Sequence, residues 1–285
     1  MLLYYLTICF TLTIIYDLAN YITVFKKIGR EKPVNSPYFI LYASLRMFIP
    51  FISLTIIFVS IHDLDALYEF IVSQIRLNTY TLLVYLLTPI PVYVATILFI
   101  IVGSLFRVID RVRLKNAIGE TTIKNISLLL ILVFATGLTV NAIFGFGEEI
   151  GWRSYMFIEL YRVYGFYYAV LLSGIIWGLW HVPLYIVVDP KSVELGFDST
   201  WFLTVYYVIF CTLLSIPLSH LLLLTNSIGP SSGLHGSINA LWRLTHNIVV
   251  REDNIVYRTK YLLTLTISWF IPILLIELII NIWSV

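Results

Sequence analysis

Residues 127–153 read SLLLILVFATGLTVNAIFGFGEEIGWR, an apolar run that ends in two adjacent glutamates, Glu148 and Glu149, followed by Arg153. About 20 mostly apolar residues are enough for a helix to cross a bilayer, so residues 127–146 are predicted to form a membrane span. Ionised side chains beside hydrocarbon are costly unless they have partners, water or a function. The stretch therefore predicts a membrane helix with a chemically active end.

The rest of the chain has the same character. Of its 285 residues, 60% are hydrophobic and only 12% are charged, which leaves too little polar surface for a soluble domain of this size. The sequence predicts an all-α, polytopic protein of the cell membrane, a single domain over residues 1–285 with about eight transmembrane helices around an intramembrane catalytic chamber. The predicted windows are 2–24, 38–61, 80–106, 127–146, 166–188, 201–224, 234–250 and 261–282.

Breaks and loops refine this topology. Pro89 and Pro91 are expected to break the third window, and the glycines at 145 and 147 are expected to interrupt the fourth. Residues 148–164 either form a short embedded helix or continue the fourth helix after a kink. The positive-inside rule places the loops around Lys26 and Arg107 in the cytoplasm. An acidic loop at 189–198 and a mildly basic one at 251–260 leave the side of the carboxyl terminus and of the chamber opening undecided. Oligomeric state is not indicated.

Three pairs of polar residues share one spacing. Glu149 and Arg153, Trp177 and His181, and His235 and Asn239 are each four residues apart, which places both members on one face of a helix. Each pair can therefore project into a common interior chamber. The first pair is predicted to be an ion pair, whereas Glu148 has no equally obvious partner and is left for chemistry.

These residue types suit hydrolysis of an acyl group. A glutamate partly removed from water, such as Glu148, is a better general base near neutrality and can activate a water molecule that His181 orients. His235 and the Asn239 amide can donate hydrogen bonds to a tetrahedral oxyanion. The set needs no serine, cysteine or aspartate nucleophile.

The ordered trio EExxxR at 148–153, aromatic-xxx-His at 177–181 and HxxxN at 235–239 resembles the CPBP family of intramembrane proteases. That family includes the type II CAAX prenyl endopeptidases and the bacteriocin-processing or immunity-related (Abi) relatives. The resemblance covers roughly residues 125–250, which we take as the catalytic core. It implies a prenylated carboxyl-terminal peptide as the substrate and removal of its last three residues.

The resemblance also implies roles for individual residues. The first glutamate would activate water together with the histidine of the second motif, and the third motif would form the oxyanion hole. The predicted catalytic set is Glu148, His181, His235 and Asn239, and the predicted supporting set is Glu149, Arg153 and Trp177. At position 177 phenylalanine is the commoner residue in the family, and the tryptophan here is expected only to reshape the chamber wall.

Family members are described both as metalloproteases and as metal-independent glutamate proteases. Glu148, His181 and His235 would make a His₂Glu set of the kind that binds catalytic zinc, but the sequence has no HExxH motif and Asn239 suits an oxyanion better than zinc. We therefore expect no metal cofactor, with zinc permitted. The expected partners are the lipid bilayer and a prenylated or other membrane-associated peptide. The net charge of +2 gives no indication of nucleic acid binding.

Other functional classes stay open. A non-enzymatic membrane binding or immunity protein could keep the same fold, and a protease could act on another membrane peptide. A transporter ranks last, because the two halves show no inverted repeat. Asp17, Asn20 and Arg46 lie within predicted spans without an assigned role. His220 and His246 are expected to hydrogen-bond between helices.

Overall fold

The computed structural model describes residues 1–26, 37–119, 123–187, 199–250, 252 and 254–283, and these ranges are mostly helical, with a single isolated β-bridge between Ile109 and Val249. The predicted acidic loop at 189–198 and most of the basic loop after Lys26 lie outside the described residues. The helices are α1 (Leu2–Asn20), α2 (Pro37–Arg46), α3 (Ile49–Ser60), α4 (Leu64–Ser73), α5 (Thr79–Leu87), α6 (Pro89–Leu105), α7 (Arg111–Ile118), α8 (Ile123–Leu138), α9 (Val140–Glu149), α10 (Ile158–Tyr164), α11 (Phe166–Trp180), α12 (Val182–Val187), α13 (Thr200–Thr225), α14 (Ile228–Thr245) and α15 (Ile255–Trp283).

The described residues contain seven helical segments that are long and apolar enough to cross a membrane, so the predicted all-α polytopic class is confirmed. The break predicted in the third span is also confirmed, because α5 ends at Leu87 and α6 begins at Pro89. The seven segments are Leu2–Phe25, Pro37–Ser60, Thr79–Leu105, Ile126–Tyr164, Phe166–Tyr185, Thr200–Thr225 and Ile255–Leu278.

The remaining predicted window, 234–250, corresponds to α14, and both of its predicted ends are wrong. The helix begins six residues earlier, at Ile228, and ends at Thr245, followed by a short 3₁₀ turn. Pro230 lies in the first turn of the helix, where a backbone N–H has no partner along the helix, so the proline costs no hydrogen bond there. The Gly-Pro-Ser-Ser-Gly run at 229–233 is therefore part of the start of this helix.

Helix α14 lies at the centre of the bundle. It packs against α5, α6, α8, α9 and α13, and most of its described side chains are buried. Glycines permit the close approach, since a Cβ on Gly236 would overlap the backbone of Gly137 and Ala142. Because other helices surround α14 instead of lipid, it can carry the polar residues that lower its hydropathy below that of a lipid-facing span.

The fourth span takes the second of its two predicted courses. The chain turns at Thr139, six residues before Gly145, and then runs as helix through both glycines to Glu149. The predicted interruption at Gly145 and Gly147 is therefore wrong. These glycines serve close packing instead, because their added Cβ atoms would lie 2.9 Å from the carbonyl oxygens of Ser232 and Met47, respectively. Beyond Glu149 the chain continues as a wider, π-helical turn, Ile150–Phe157, into α10.

Hydrogen bonds between loops show which ends of the spans lie together. At one end, the Val250 amide donates to the Val108 carbonyl at 2.9 Å. At the opposite end, the Ile228 amide donates to the Gln74 carbonyl at 2.8 Å. The loops after α6 and after α14 therefore share one end of the bundle, and the loops after α4 and after α13 share the other.

Candidate active site

Two of the three predicted motifs line one cavity, and the third, Glu148 to Arg153, lies behind its wall and contacts the lining residues Trp177 and His235. The cavity volume is about 290 Å³, and its wall includes Trp177 and His181 from the end of α11 and His235 and Asn239 from α14. Aromatic and apolar side chains of α2, α9 and α13 complete the wall. Helices α11 and α14 are distant in sequence, so only helix packing brings their side chains together, and α14 packs against both α9 and α13.

Glu149 connects two of the motifs. Its side chain is fully buried, and its Oε1 accepts a hydrogen bond from His235 Nδ1 at 2.7 Å. Arg153 Nε lies 3.2 Å from Glu149 Oε2, so the predicted ion pair is confirmed, although the N–H is not aligned with that oxygen and makes no hydrogen bond in the described part of the chain. A second Arg153 nitrogen donates to Ser215 of α13 at 3.1 Å. Glu149 and Arg153 therefore hold the fourth span, α13 and α14 together.

The hydrogen bond to Glu149 determines the protonation of one ring nitrogen of His235, Nδ1. A carboxylate only accepts, so Nδ1 carries the hydrogen of this bond. If His235 is also to donate from Nε2, it must be a doubly protonated imidazolium. Two carboxylates, Glu148 and Glu149, together with Arg153 and a cationic His235, give a cluster with zero net charge. Such compensation lowers the cost of keeping four ionisable groups out of water.

Glu148 has a partner that the sequence did not suggest. Its side chain is 3% exposed, and Oε2 accepts a hydrogen bond from the indole Nε1 of Trp177 at 2.7 Å. Among the described residues no hydrogen bond ends on the other carboxylate oxygen, Oε1. The same indole ring lies beneath Arg153, whose Cζ is 4.1 Å from the ring centroid, and packs against His235 at 5.5 Å between centroids. The expectation that Trp177 only reshapes the wall is wrong, because a phenylalanine has no N–H for Glu148.

His181 is the C-cap of α11, directly after its last residue, Trp180. Its Nδ1 lies 2.9 Å from the carbonyl oxygen of Trp177, one turn earlier, and its ring stacks on Tyr207 of α13 at 4.6 Å. Since a carbonyl oxygen only accepts, Nδ1 carries the hydrogen, and Nε2 of the neutral ring has a free lone pair. Such a histidine can accept a hydrogen bond from water, as the sequence predicts.

Asn239 lies one turn beyond His235 on α14 and also lines the cavity, half-buried. Its Nδ2 lies 3.8 Å from the sulfur of Met47, a weak acceptor, so within the described residues the amide gives up only a weak contact when a substrate oxygen arrives. The predicted pairing of His235 and Asn239 on one helix face is borne out by this shared wall.

Sequence reasoning missed one face of α13. Tyr207, which stacks on His181, Cys211, which lies 4.0 Å from His181 Nδ1, and Ser215, which binds Arg153, are spaced four apart along this helix. Asn141 of α9 also lines the cavity. The four-residue spacing that drew attention to the other motifs would have found the α13 face, and Asn141 is the one amide within the predicted span 127–146.

The candidate zinc ligands are Glu148, His181 and His235. In the described ranges, no group of three or more His, Cys, Asp or Glu side chains is placed to hold a metal ion. The hydrogen bonds of the two histidines, His235 Nδ1 with Glu149 and His181 Nδ1 with the Trp177 carbonyl, leave both Nε2 atoms for other contacts. Because the three side chains are not grouped as metal ligands, the proposed mechanism includes no metal step.

Fold and site together define an α-helical, polytopic membrane protein with two histidines in the wall of one cavity and two buried carboxylates hydrogen-bonded to residues of that wall. Residues 126–241 match the family described as Type II CAAX prenyl endopeptidase Rce1-like. A stretch of 55 residues is 42% identical to CAAX prenyl protease 2 of Methanococcus maripaludis, which is 19% of this chain and 20% of that protein. The matched stretch thus spans about a fifth of the curated relative. The resemblance seen in the motifs is confirmed, and all seven predicted site residues lie within 126–241.

Proposed function

We propose that the chain is an intramembrane endopeptidase that hydrolyses a peptide bond with water activated by Glu148 and His181. The observation that carries this proposal is that two of the motifs line one cavity and hydrogen bonds join the third motif to them, Glu149 to His235 and Glu148 to Trp177. Structural packing alone does not require two histidines and an amide in the wall of a single cavity, with two carboxylates directly behind that wall inside apolar spans.

The first step uses Glu148 as a general base. Its Oε1 takes a proton from a water molecule while His181 Nε2 accepts a hydrogen bond from the other hydrogen of the same water. The oxygen then adds to the carbonyl carbon of the scissile peptide bond. Trp177 holds the second oxygen of Glu148 by its N–H, so the carboxylate has a fixed orientation before the substrate binds.

The second step stabilises and collapses the tetrahedral intermediate. The negative oxygen accepts hydrogen bonds from Nε2 of the His235 imidazolium and from the Asn239 amide. Glu149 serves as the counter-ion that keeps His235 protonated and oriented. Protonated Glu148 then gives its proton to the leaving nitrogen as the C–N bond breaks. The products are a carboxylic acid and an amine, and Glu148 returns to its carboxylate form.

The substrate class follows from the family. Its description as a type II CAAX prenyl endopeptidase supports a prenylated carboxyl-terminal peptide as the substrate, from which the terminal tripeptide is removed. The cavity is walled largely by aromatic and apolar side chains and adjoins α2, whose first residues follow the basic loop after Lys26. By the positive-inside rule this end of the bundle lies in the cytoplasm, so the proposed chamber opens toward that side.

The test is cleavage of a farnesylated CAAX reporter peptide by the purified protein in detergent. We expect the wild type to cleave it and Glu148→Ala to lose about 10²–10⁴-fold in kcat, the usual contribution of a general base. Glu277→Ala is the matched control and should retain activity. It removes an intramembrane carboxylate of α15 that pairs with His220 and does not line the cavity.

Other outcomes point to the alternatives. Cleavage by both wild type and Glu148→Ala would refute the assigned base. If the wild type cleaves only an unprenylated membrane peptide, the protease proposal stands and the substrate class is wrong. If it cleaves neither peptide, a non-enzymatic binding or immunity protein on the same fold becomes the better proposal.

A further inference from the structure

A second buried charged pair lies outside the family-matched segment. Asp17 of α1 is fully buried and Arg46, the last residue of α2, is 3% exposed. Arg46 Nε donates to Asp17 Oδ1 at 3.0 Å and Arg46 Nη2 donates to Oδ2 at 3.1 Å, so the ion pair is bidentate. The Tyr42 hydroxyl donates to the same carboxylate at 2.6 Å. Each charge in this pair is compensated, although both residues lie within apolar spans.

The guanidinium also makes a third contact. Arg46 Nη2 donates to the carbonyl oxygen of Trp180 at 2.8 Å, and its Cζ lies 3.9 Å from the centroid of the Trp180 ring. Trp180 is the last residue of α11, where helix carbonyls run out of partners along the chain. The pair therefore fixes the end of the helix that presents His181.

The Trp180 side chain is held from a second direction. Its Nε1 donates to the Thr13 hydroxyl of α1 at 2.7 Å, one helical turn before Asp17. The ring of Trp180 packs edge-on against the His181 imidazole, with 5.2 Å between centroids. Backbone and side chain of the residue preceding His181 are thus both anchored to α1 and α2.

We infer that Asp17 and Arg46 are positioning residues for His181: their ion pair anchors the Trp180 carbonyl and ring, and through them the imidazole that orients the attacking water. This inference rests on the proposed function. A buried ion pair is by itself weak support for stability, since apolar replacements of a whole pair are often neutral. The contact with Trp180 gives the pair a task that a purely structural bridge between α1 and α2 does not need.

The test uses a double variant, Asp17→Asn/Arg46→Met, because Arg46→Met alone would leave a buried carboxylate without its counter-ion and could unfold the protein. Glu277→Gln is the control, since it removes the charge from an intramembrane contact with His220 that does not involve the cavity. Each variant is assayed for cleavage of the farnesylated reporter and for thermal unfolding. The His181 tautomer is read by NMR of protein labelled with ¹⁵N-histidine, in which the chain's five histidines are few enough for His181→Gln to assign the signal.

We expect the double variant to remain folded, to lose on the order of 10²-fold in kcat with little change in KM, and to lose the single Nδ1-protonated form of His181. Glu277→Gln should change neither the kcat nor the His181 signal. An unchanged His181 signal in the double variant, or a loss of activity that merely follows the folded fraction, would overturn the inference. If the wild type cleaves no reporter, the proposed function fails, while the NMR comparison still decides whether the pair positions His181.

Discussion

Among the described residues, two histidine–glutamate pairs bridge helices, and they differ in what surrounds them. His235 of α14 binds Glu149 at the end of α9, and His220 of α13 binds Glu277 of α15, in both cases through Nδ1 and Oε1. The side chains of the first pair are 6% and 0% exposed, and those of the second are 20% and 25% exposed. The same chemical contact therefore occurs in a buried and in a half-exposed setting.

The surroundings separate a candidate catalytic pair from a structural one. Around His235 and Glu149 lie the Arg153 guanidinium, the Trp177 ring and the cavity. His220 instead stacks on the Phe166 ring at 3.9 Å, and the expectation that it bonds between helices is confirmed. The comparison shows that a hydrogen bond to a carboxylate does not by itself identify a functional intramembrane histidine, because such a bond serves helix packing equally well. The adjoining cavity and the nearby Arg153 and Trp177 side chains distinguish His235 from His220.

The largest expected difference between the two pairs is in kcat after each histidine is replaced by alanine. His235→Ala removes a proposed oxyanion donor, and the loss of one such donor lowers kcat by about 10²–10³-fold. His220→Ala removes only an interhelical hydrogen bond, so kcat per folded molecule should stay unchanged while the midpoint of thermal unfolding falls. Both are measured as reporter cleavage and thermal unfolding in the same detergent. Equal losses of kcat in the two variants would assign both pairs to structure and would contradict the proposed oxyanion hole.

A smaller effect on kcat is expected from substitution of Trp177, whose indole ring packs against His235 of the buried pair. Trp177→Phe keeps an aromatic ring under Arg153 and deletes the N–H that binds Glu148, and a hydrogen bond to a charged group is typically worth about 1.5–3 kcal/mol. We expect kcat to fall about tenfold or more, because part of that energy orients the general base. The control is Trp269→Phe, whose buried Nε1 has no hydrogen-bond partner in the part of the chain that the structure describes. An unchanged kcat in Trp177→Phe would show that Trp177 serves only as a wall residue.

The smallest effect should follow removal of metal ions. In the proposed reaction His235 acts as a cationic donor, whereas in a metal site it would be a neutral ligand like His181. Incubation with a chelator should therefore leave cleavage of the reporter unchanged, and elemental analysis of the purified protein should show no stoichiometric zinc. Loss of activity that added zinc restores would replace the metal-free mechanism with a His₂Glu site.

Much of the site could be predicted because its motifs are local. The pairs Glu149–Arg153 and His235–Asn239 lie one turn apart, and a helix alone places both members on one face. The partners of these pairs could not be predicted in the same way. Glu149 and His235 are 86 residues apart, and Glu148 and Trp177 are 29 apart, so their contacts depend on how helices pack.

The unassigned polar residues show the same limit. Asp17, Asn20 and Arg46 stand out in the sequence as costly side chains in apolar spans, but nothing local shows their partners. In the structure Asn20 accepts a hydrogen bond from Tyr38 at 2.5 Å, and Arg46 reaches both Asp17 and the end of α11, 134 residues away in the chain. Their contacts become visible only when α1, α2 and α11 are packed together.

The sequence by itself determined the class of the fold, the spans and the identity of the motifs. The physical reason is that a chain in lipid must satisfy its backbone hydrogen bonds within each segment, so apolar length alone specifies a helix. Only the tertiary structure decided that the least apolar of the long helices, α14, lies at the centre, that Trp177 holds Glu148 and that one His–Glu pair adjoins the cavity. These features depend on close approach between helices at small residues, which hydropathy does not record.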